Sequence, residues 1–236
     1  MKKEFKFKQF TIQQDRAAMK VGTDGVLLGA WVPIENPESI LDIGSGTGLI
    51  ALMLAQRSDA FQIDAIEIED HAYEQAVENF ENSDWSDRLF CYHASLQEFV
   101  EEMEEKYDLI VSNPPFYTDS FESNDLSRLL ARFEGALPFE SLIEYSAKLL
   151  SENGNFALII PFKEEEKVLQ IAKKNQLFPQ KITRVKGALN TEIKRSLLLF
   201  SFQENTPIID ELVIEISRHQ YTDEYKALVK DFYLKL

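Results

Sequence analysis

The sequence predicts an α/β protein built on a mostly parallel sheet with helices on both faces. From Ile40 onward, short runs rich in Ile, Val and Leu alternate with amphipathic stretches of ten or more residues. This is the pattern of parallel strands joined by crossover helices. A glycine-rich turn follows the first of these runs directly, as expected at the carboxyl edge of such a sheet. The longest apolar runs fall well short of the roughly 20 residues that span a bilayer.

The core is expected to contain seven strands and five helices. The strands are predicted at 40–43, 62–67, 88–93, 107–112, 155–161, 180–186 and 195–203. The helices are predicted at 47–57, 70–82, 95–104, 138–151 and 164–175. The Glu-Asn-Gly sequence at 152–154 is interpreted as the stop signal of the fourth helix.

The segments on either side of the core have their own patterns. The N-terminal sequence "EFKFKQFTI" alternates polar and apolar residues, which predicts a strand or hairpin. Near the C-terminus, "LVIEI" predicts a strand and "TDEYKALVKDFYL" a capped helix. We therefore expect one domain over 1–236, with an extension at 1–39, a core at 40–203 and a C-terminal strand and helix at 204–236.

Charge is unevenly distributed along this acidic chain. The whole chain carries a formal net charge of −15, although proteins that bind nucleic acid are usually basic. Residues 1–20 and 181–195 each carry +4, which leaves −23 on the rest. The two basic segments are candidates for contacts with phosphate, although charged faces exposed to solvent are also common.

Composition argues against several kinds of site and location. Cys91 is the only cysteine, so neither an intrachain disulfide nor a cysteine-rich metal site is expected. The three histidines, His71, His93 and His219, have neither the spacing of a metal site nor a nucleophile partner. The N-terminus lacks the apolar run of a signal peptide. We expect a cytoplasmic protein without a metal or a membrane segment.

The sequence "ILDIGSGTG" places three glycines, Gly44, Gly46 and Gly48, between the first core strand and a helix. Glycine tolerates positive φ and lets backbone amides approach a ligand closely. The spacing follows an aspartate, Asp42, and differs from the G-x-G-x-x-G dinucleotide fingerprint. The loop therefore predicts a cofactor site of another kind, although a tight connection alone would look similar.

An acidic residue at the end of the second core strand complements this loop. Glu67 lies about 20 residues beyond the glycines, where a carboxylate can accept hydrogen bonds from two ribose hydroxyls. Glu69 is the alternative, but it lies closer to the next helix and is better suited to be a charge at the helix N-terminus. We expect Glu67 to hold the ribose.

Directly after the strand "YDLIVS" comes Asn113-Pro114-Pro115-Phe116, the most specific signal in the chain. The two prolines exclude regular structure and leave carbonyl groups free to project from the strand end. The Asn113 side-chain oxygen and the Pro114 carbonyl are predicted to accept the hydrogens of an amine. Phe116 is predicted to stack on a base taken out of its stack.

Together these motifs resemble those of the Rossmann-like amino-methyltransferases, whose targets include adenine, guanine and glutamine amines. The resemblance implies S-adenosylmethionine as the cofactor and an antiparallel last strand in the core sheet. It implies that Asp42 lies near the methionine end of the cofactor. It also implies that Ser95, just after the third core strand, belongs to the cofactor site.

The N-terminal sequence "FKFKQFTIQQDRAAMKVGTDGVLLGAW" and the closing "YTDEYKALVKDFYLKL" resemble those of the bacterial tRNA1(Val) adenine-N6-methyltransferases. This resemblance covers nearly the whole chain and is looser at about 118–136 and 163–195. It implies that Lys20, Thr23 and Asp24 lie beside the cofactor pocket. It also implies that the substrate is the adenine next to the anticodon. Thr23 or Asp24 could instead cap the following helix.

One departure keeps alternatives open. Phe116 stands where the tRNA enzymes favour tyrosine, and N-P-P-F also occurs in ribosomal RNA guanine methyltransferases. Tyr117 could supply the missing hydroxyl. A protein glutamine methyltransferase normally carries a helical N-terminal domain for which 39 residues leave no room, and a non-catalytic module should have lost Asn113 or Glu67.

We expect a monomer that binds tRNA through its two basic segments, converging beside the Asn113 cleft. The acidic remainder would repel phosphate elsewhere. The residues expected to contact RNA are Lys6, Lys8, Arg16, Lys186, Lys194 and Arg195.

Overall fold

The computed structural model describes residues 3–115 and 137–235. Its strands, in chain order, are β1 (Glu4–Lys6), β2 (Thr11–Gln13), β3 (Ser39–Ile43), β4 (Gln62–Glu67), β5 (Leu89–His93), β6 (Tyr107–Ser112), β7 (Leu150–Pro161), β8 (Phe178–Ala188), β9 (Ile193–Ser201), β10 (Ile208–Ser217) and β11 (Gln220–Tyr221).

The described helices occupy the connections between these strands. They are α1 (Thr23–Trp31), α2 (Leu49–Arg57), α3 (Asp70–Glu81), α4 (Leu96–Glu102), α5 (Phe139–Leu149), α6 (Glu165–Lys174) and α7 (Asp223–Val229), with a 3₁₀ turn at Phe162–Glu164 before α6. Within the described ranges, no helix is long and apolar enough to cross a membrane.

The main sheet has the strand order β11-β10-β8-β9-β7-β6-β3-β4-β5. The strands β7, β6, β3, β4 and β5 are parallel to one another, whereas β9 is antiparallel to both β7 and β8. The predicted mostly parallel sheet and its antiparallel last core strand are confirmed. Among the described residues the sheet has nine strands and not seven, because β10 pairs in parallel with β8 and β11 folds back on β10.

The fourth helix ends two residues before its predicted end, and the interpretation of 152–154 as its stop signal is wrong. The helix α5 ends at Leu149, and the Glu-Asn-Gly sequence at 152–154 lies inside β7. A Cβ added at Gly154 would lie 2.8 Å from the carbonyl oxygen of Tyr107. This glycine therefore permits a close approach of β7 to β6, beside the register shift between Tyr107 and Leu109.

Two hydrophobic clusters cover the two faces of the sheet. Helices α1, α2, α3 and α7 contribute to the first, which includes Leu52, Phe80 and Val229. Helices α4, α5 and α6 contribute to the second, which includes Phe99 and Leu142. The central strands β3, β4 and β6 are buried on both sides, which explains their nearly continuous apolar sequences, whereas β5 and β10 are largely exposed.

The N-terminal hairpin and the C-terminal helix pack together. Strands β1 and β2 pair antiparallel, as predicted, and Phe7 forms a bridge with Tyr233 after α7. Thr222 caps α7 by accepting the amide hydrogen of Tyr225 at 3.1 Å. The predicted capped helix is confirmed, but it ends at Val229, and Phe232 beyond it is buried in the core.

Candidate active site

The glycine loop and the Asn-Pro-Pro motif meet at the carboxyl edge of the sheet. The parallel register pairs Ile43 of β3 with Ser112 of β6. The Ser112 hydroxyl donates a hydrogen bond of 2.9 Å to the Ile43 carbonyl. Gly44 and Asn113 directly follow these two residues, so the two motifs begin side by side.

All three loop glycines have positive φ, at 72° for Gly44, 57° for Gly46 and 77° for Gly48. A Cβ at Gly44 or Gly46 would meet no atom within 4 Å, whereas one at Gly48 would lie 2.4 Å from Cε1 of Phe80. The first two glycines therefore line open space at the strand end, and the third is required by packing against α3.

Asp42 lies fully buried beneath the loop. Its Oδ2 accepts the amide hydrogen of Ala51 at 3.2 Å, and its Oδ1 has no hydrogen-bond partner among the described residues. Burial, followed by the charge of nearby Glu67, raises the pKa of Asp42 to about 7. A buried acceptor without a partner is uncommon, and a donor from a ligand would satisfy it.

The Glu67 carboxylate is fixed against the loop by backbone amides. Its Oε2 accepts from Gly46 N at 2.8 Å, and its Oε1 accepts from Ile68 N and Glu69 N at 2.9 Å each. Glu69 instead caps α3, because its side chain accepts the amide hydrogen of Ala72 at 2.7 Å. The structure therefore places Glu67 at the loop and gives Glu69 the role at the helix N-terminus.

The Asn-Pro-Pro motif has no regular secondary structure, as predicted from its prolines. Pro114 is buried, Asn113 is half-buried and Pro115 is exposed. A Cβ at Gly25 of α1 would lie 3.8 Å from Nδ2 of Asn113, so α1 passes beside this side chain. Phe116 and Tyr117 lie outside the described residues.

The segment ahead of α1 approaches the same edge. Thr23 begins α1, whose N-cap is Gly22, and no side chain caps this helix. The alternative role of Thr23 or Asp24 as a side-chain cap is therefore wrong. Asp24 Oδ2 instead accepts a hydrogen bond of 2.8 Å from Nε of Arg195 on β9, and Lys20 is exposed.

Ser95 follows β5 and caps α4. Its hydroxyl accepts from the Glu98 amide at 3.2 Å, and its own amide donates to Glu98 Oε2 at 3.0 Å. These two bonds form a capping box. They explain the serine structurally, and its predicted contact with a cofactor stays a prediction.

The buried side-chain amides of Asn79 and Gln75 attach the N-terminal segment to this site, and no sequence pattern singled them out. Asn79 of α3 accepts from Gln13 N at 2.8 Å and donates to the carbonyls of Gln13 and Thr47 at 2.9 Å each. Gln75 accepts from Arg16 N at 3.2 Å. The signal in the sequence was a pair of uncharged polar residues one helical turn apart on the apolar face of α3.

Most residues expected to bind RNA contact acidic groups of this chain. Arg16 pairs with Glu74 and Glu78, while Lys186 pairs with Glu211 at 2.9 Å. Arg195 pairs with Asp24. The remaining three are exposed: Lys6 pairs with Glu4, Lys8 donates to the Lys230 carbonyl, and Lys194 has no ion-pair partner among the described residues.

Metal and thiol chemistry find little support in the described part of the chain. It contains no group of three or more His, Cys, Asp or Glu side chains that could hold a metal ion. Burial raises the pKa of the Cys91 thiol to about 12, so this thiol is protonated and a poor nucleophile at neutral pH.

A glycine loop with open space above it, an acidic residue at the next strand end and an Asn-Pro-Pro motif at the neighbouring strand define a Rossmann-like methyltransferase. A family model described as the methyltransferase small domain matches residues 20–175. Curated relatives named tRNA1(Val) (adenine(37)-N6)-methyltransferase match almost end to end. The one from Christiangramia forsetii is 67% identical over 98% of both chains. The one from Trichodesmium erythraeum is 45% identical over 98% of both chains.

The chain belongs to the family of tRNA1(Val) (adenine(37)-N6)-methyltransferases, within the methyltransferase small domain family, which confirms the resemblance in its sequence. Solved structures share the fold at low identity. A predicted O-methyltransferase from Agrobacterium tumefaciens superposes with a TM-score of 0.69 at 17% identity, covering 89% of this chain and 96% of that one.

Proposed function

We propose that this enzyme transfers the methyl group of S-adenosylmethionine to the exocyclic 6-amino group of the adenine next to the anticodon in tRNA1(Val). The observation that carries the proposal is the register pair Ile43–Ser112, which sets the glycine loop and the Asn-Pro-Pro motif side by side. A cofactor methyl and an amine could meet between them.

The described residues suit the cofactor. The space over Gly44 and Gly46 admits it close to the backbone, and Glu67 stands beside this space to accept a ribose hydroxyl. The buried Asp42 Oδ1 offers an acceptor for a positively charged amine. When bound, S-adenosylmethionine supplies a methyl group on a positively charged sulfur, which is open to in-line attack.

The residues of the strand end hold and orient the amine. The Asn113 side-chain oxygen and the Pro114 carbonyl each accept one amine hydrogen, which points the nitrogen lone pair at the methyl. Pre-set geometry of this kind lowers a barrier by several kcal/mol, about 7 at the lower end of the range for well-oriented reactions. A strong general base is unnecessary because the amine becomes acidic once it has attacked and then releases one proton to solvent.

The proposal includes a cytoplasmic location, where tRNA is found, and a monomeric enzyme, both as predicted from the sequence. The RNA itself would be held first by Lys194, which is exposed and has no ion-pair partner among the described residues. The other predicted cations would contribute by exchanging their intramolecular partners for phosphate. Phe116, as in the sequence-based prediction, would stack on the target base.

The product distinguishes this function from its rivals. The purified protein is incubated with labelled S-adenosylmethionine and unmodified tRNA1(Val), ribosomal RNA or a protein extract. The products are then digested and the methylated unit identified. We expect N6-methyladenosine from tRNA alone, and none after adenine 37 is replaced by guanine. N2-methylguanosine in ribosomal RNA, or methylglutamine in protein, would replace the proposal.

A further inference from the structure

An open groove of about 520 Å³ lies beside the proposed active site and takes no part in the chemistry described above. It is lined by Phe162, Lys186, Asn190, Thr191, Glu192 and Ile193. One wall is the 3₁₀ turn after β7, and the other is the connection between β8 and β9. The groove thus combines an exposed aromatic ring with amide, hydroxyl and charged groups.

The sheet places this groove at the same edge as Asn113. Ser112 pairs with Leu158 of the adjacent strand β7, and β7 ends at Pro161, which pairs with Arg195 at the start of β9. With a strand rise of about 3.3 Å and a strand spacing of about 4.8 Å, the backbone of Phe162 lies about 11 Å from that of Asn113. A ligand in the groove is therefore a close neighbour of the target base.

The Phe162 ring is held in place although the residue is 37% exposed. The Arg184 guanidinium lies 5.5 Å from the ring centroid, and its Nη2 donates to Oε1 of the buried Glu165 at 2.7 Å. Glu165 also accepts a hydrogen bond from the Ser196 hydroxyl on β9. The exposed ring thus rests on the half-buried Arg184, which is anchored by the buried Glu165 and, through it, Ser196. This network joins α6, β8 and β9 and favours a rigid stacking surface over a chance exposure.

A stacking surface would be useful for holding RNA because most cations of the neighbouring segment already form ion pairs within the protein. In segment 181–195, Lys181, Arg184, Lys186 and Arg195 all pair with acidic groups of the same chain. Much of the +4 of this segment is therefore balanced within the fold. Stacking between a base and an aromatic ring does not depend on free cations and tolerates any base.

We propose that this groove binds an unpaired nucleoside immediately flanking the target adenine, by stacking its base on Phe162. The inference rests on the proposed function and assigns a second RNA contact to it. Lys186 lines the groove, where it can exchange Glu211 for the phosphate of that nucleoside. Asn190 and Glu192 offer polar groups to the base edge.

The test compares Phe162→Ala with Phe61→Ala, since Phe61 is also exposed, at 64%, but lies before β4 at the opposite edge of the sheet. Full-length tRNA1(Val) is assembled by ligation with an abasic nucleotide on the 5′ or the 3′ side of adenine 37. For Phe162→Ala we expect tRNA affinity to fall about tenfold, within the range of base stacking. Affinity for S-adenosylmethionine and thermal stability should match those of Phe61→Ala, and Phe162→Tyr should restore tRNA affinity.

The abasic substrates decide which contact was lost. One flanking abasic position should weaken binding to the wild-type enzyme about tenfold and have no further effect on Phe162→Ala. The inference is overturned if Phe162→Ala binds tRNA as tightly as Phe61→Ala does. It is also overturned if each abasic position weakens tRNA binding to Phe162→Ala by the same factor as binding to the wild-type enzyme. If the wild-type enzyme makes no N6-methyladenosine in tRNA, the proposed function itself has failed.

Discussion

At the scale of single residues, Glu67 and Glu69 show how two similar carboxylates acquire different roles. Glu67 accepts three backbone amide hydrogens, one of them from the glycine loop, whereas Glu69 accepts one at the start of α3. A carboxylate has about four acceptor positions, so Glu67 keeps capacity for a ligand hydroxyl. Two residues apart in sequence, one shapes the loop and the other begins a helix.

Replacing Glu67 with Gln should weaken S-adenosylmethionine binding by about tenfold or more. The amide keeps the shape but loses the charge and one acceptor oxygen, and charge-assisted hydrogen bonds contribute about 1.5 to 3 kcal/mol. Calorimetric titration measures the affinity. Glu69→Gln is the matched control and should bind within about twofold of wild type. Equal losses in the two variants would remove the ribose role from Glu67.

Asp42 should make cofactor binding depend on pH. Its folded pKa, raised to about 7, means that it is partly protonated in the free enzyme at neutral pH. A bound ammonium group would favour the ionised form, so affinity should increase between pH 6 and 8 and binding should release a proton. Calorimetry in buffers of different ionisation enthalpy measures that release. Asp42→Asn should bind more weakly and release none.

The same pKa has a consequence for folding in the absence of cofactor. Because the carboxyl ionises near pH 3.8 when unfolded and near 7 when folded, the unfolded state loses its proton first as pH rises. This group therefore opposes folding increasingly between pH 4 and 7, by at most about 1.4 kcal/mol per pH unit. In urea titrations, the free energy of unfolding of Asp42→Asn should not show this decrease between pH 4 and 7. An unchanged pH profile would contradict the assignment.

At the scale of elements, the parallel core could be predicted closely because its signals are local. Apolar runs ended by Gly44 or Asn113 mark strands whose ends must lie at one edge of a parallel sheet. The side chain of Thr222 likewise marked the start of α7. Register and contact across the sheet were not accessible in this way. Gly154 signals a helix stop in sequence, yet it serves strand pairing.

The attachment of the N-terminal segment shows the same limit. Asn79 joins β2 to the glycine loop across 66 and 32 residues of sequence, and no local pattern pairs these positions. Similarly, the charge of segment 181–195 was visible in sequence, but the acidic partners from α1, α6 and β10 were not. The net charge counted along the sequence therefore overestimated the number of cations that are free to contact RNA.

Asn79→Ala should destabilise the fold by about 2 to 4 kcal/mol, because it leaves a buried amide hydrogen and two carbonyls without their partner. It should also weaken cofactor affinity by loosening the loop at Thr47. Asn82→Ala is the control, since Asn82 is exposed and its side chain donates to the Glu78 carbonyl in the last turn of α3. Urea unfolding and calorimetry measure both effects. Similar behaviour of the two variants would refute the attachment role.

At the scale of the whole molecule, an acidic enzyme must hold an acidic substrate. If all six predicted cations met phosphate, the slope of log affinity against log salt would be about −4. Ion pairs occupy Arg16, Lys186 and Arg195 in the structure. Binding oriented by a few cations, with repulsion elsewhere, fits this arrangement better than a broad basic surface.

The salt dependence of tRNA binding should accordingly be shallow, with a slope of about −1 to −2. Lys194→Glu should weaken binding and flatten the slope further. Lys173→Glu makes the same charge change in the last turn of α6, remote from the carboxyl edge, and should have little effect. Arg195→Glu is less informative because it also breaks the contact with Asp24. A slope near −4 would show that the internal ion pairs open on binding.

The central claim is that Asn113 and Pro114 clamp the amine beside the cofactor loop, and single-turnover methylation of tRNA1(Val) by Asn113→Ala tests it most directly. The lost contact orients the amine and not the cofactor, so the rate of N6-methyladenosine formation should fall by orders of magnitude while S-adenosylmethionine affinity stays within about twofold. A rate within about threefold of wild type, with the variant folded and saturated with both substrates, would contradict the claim.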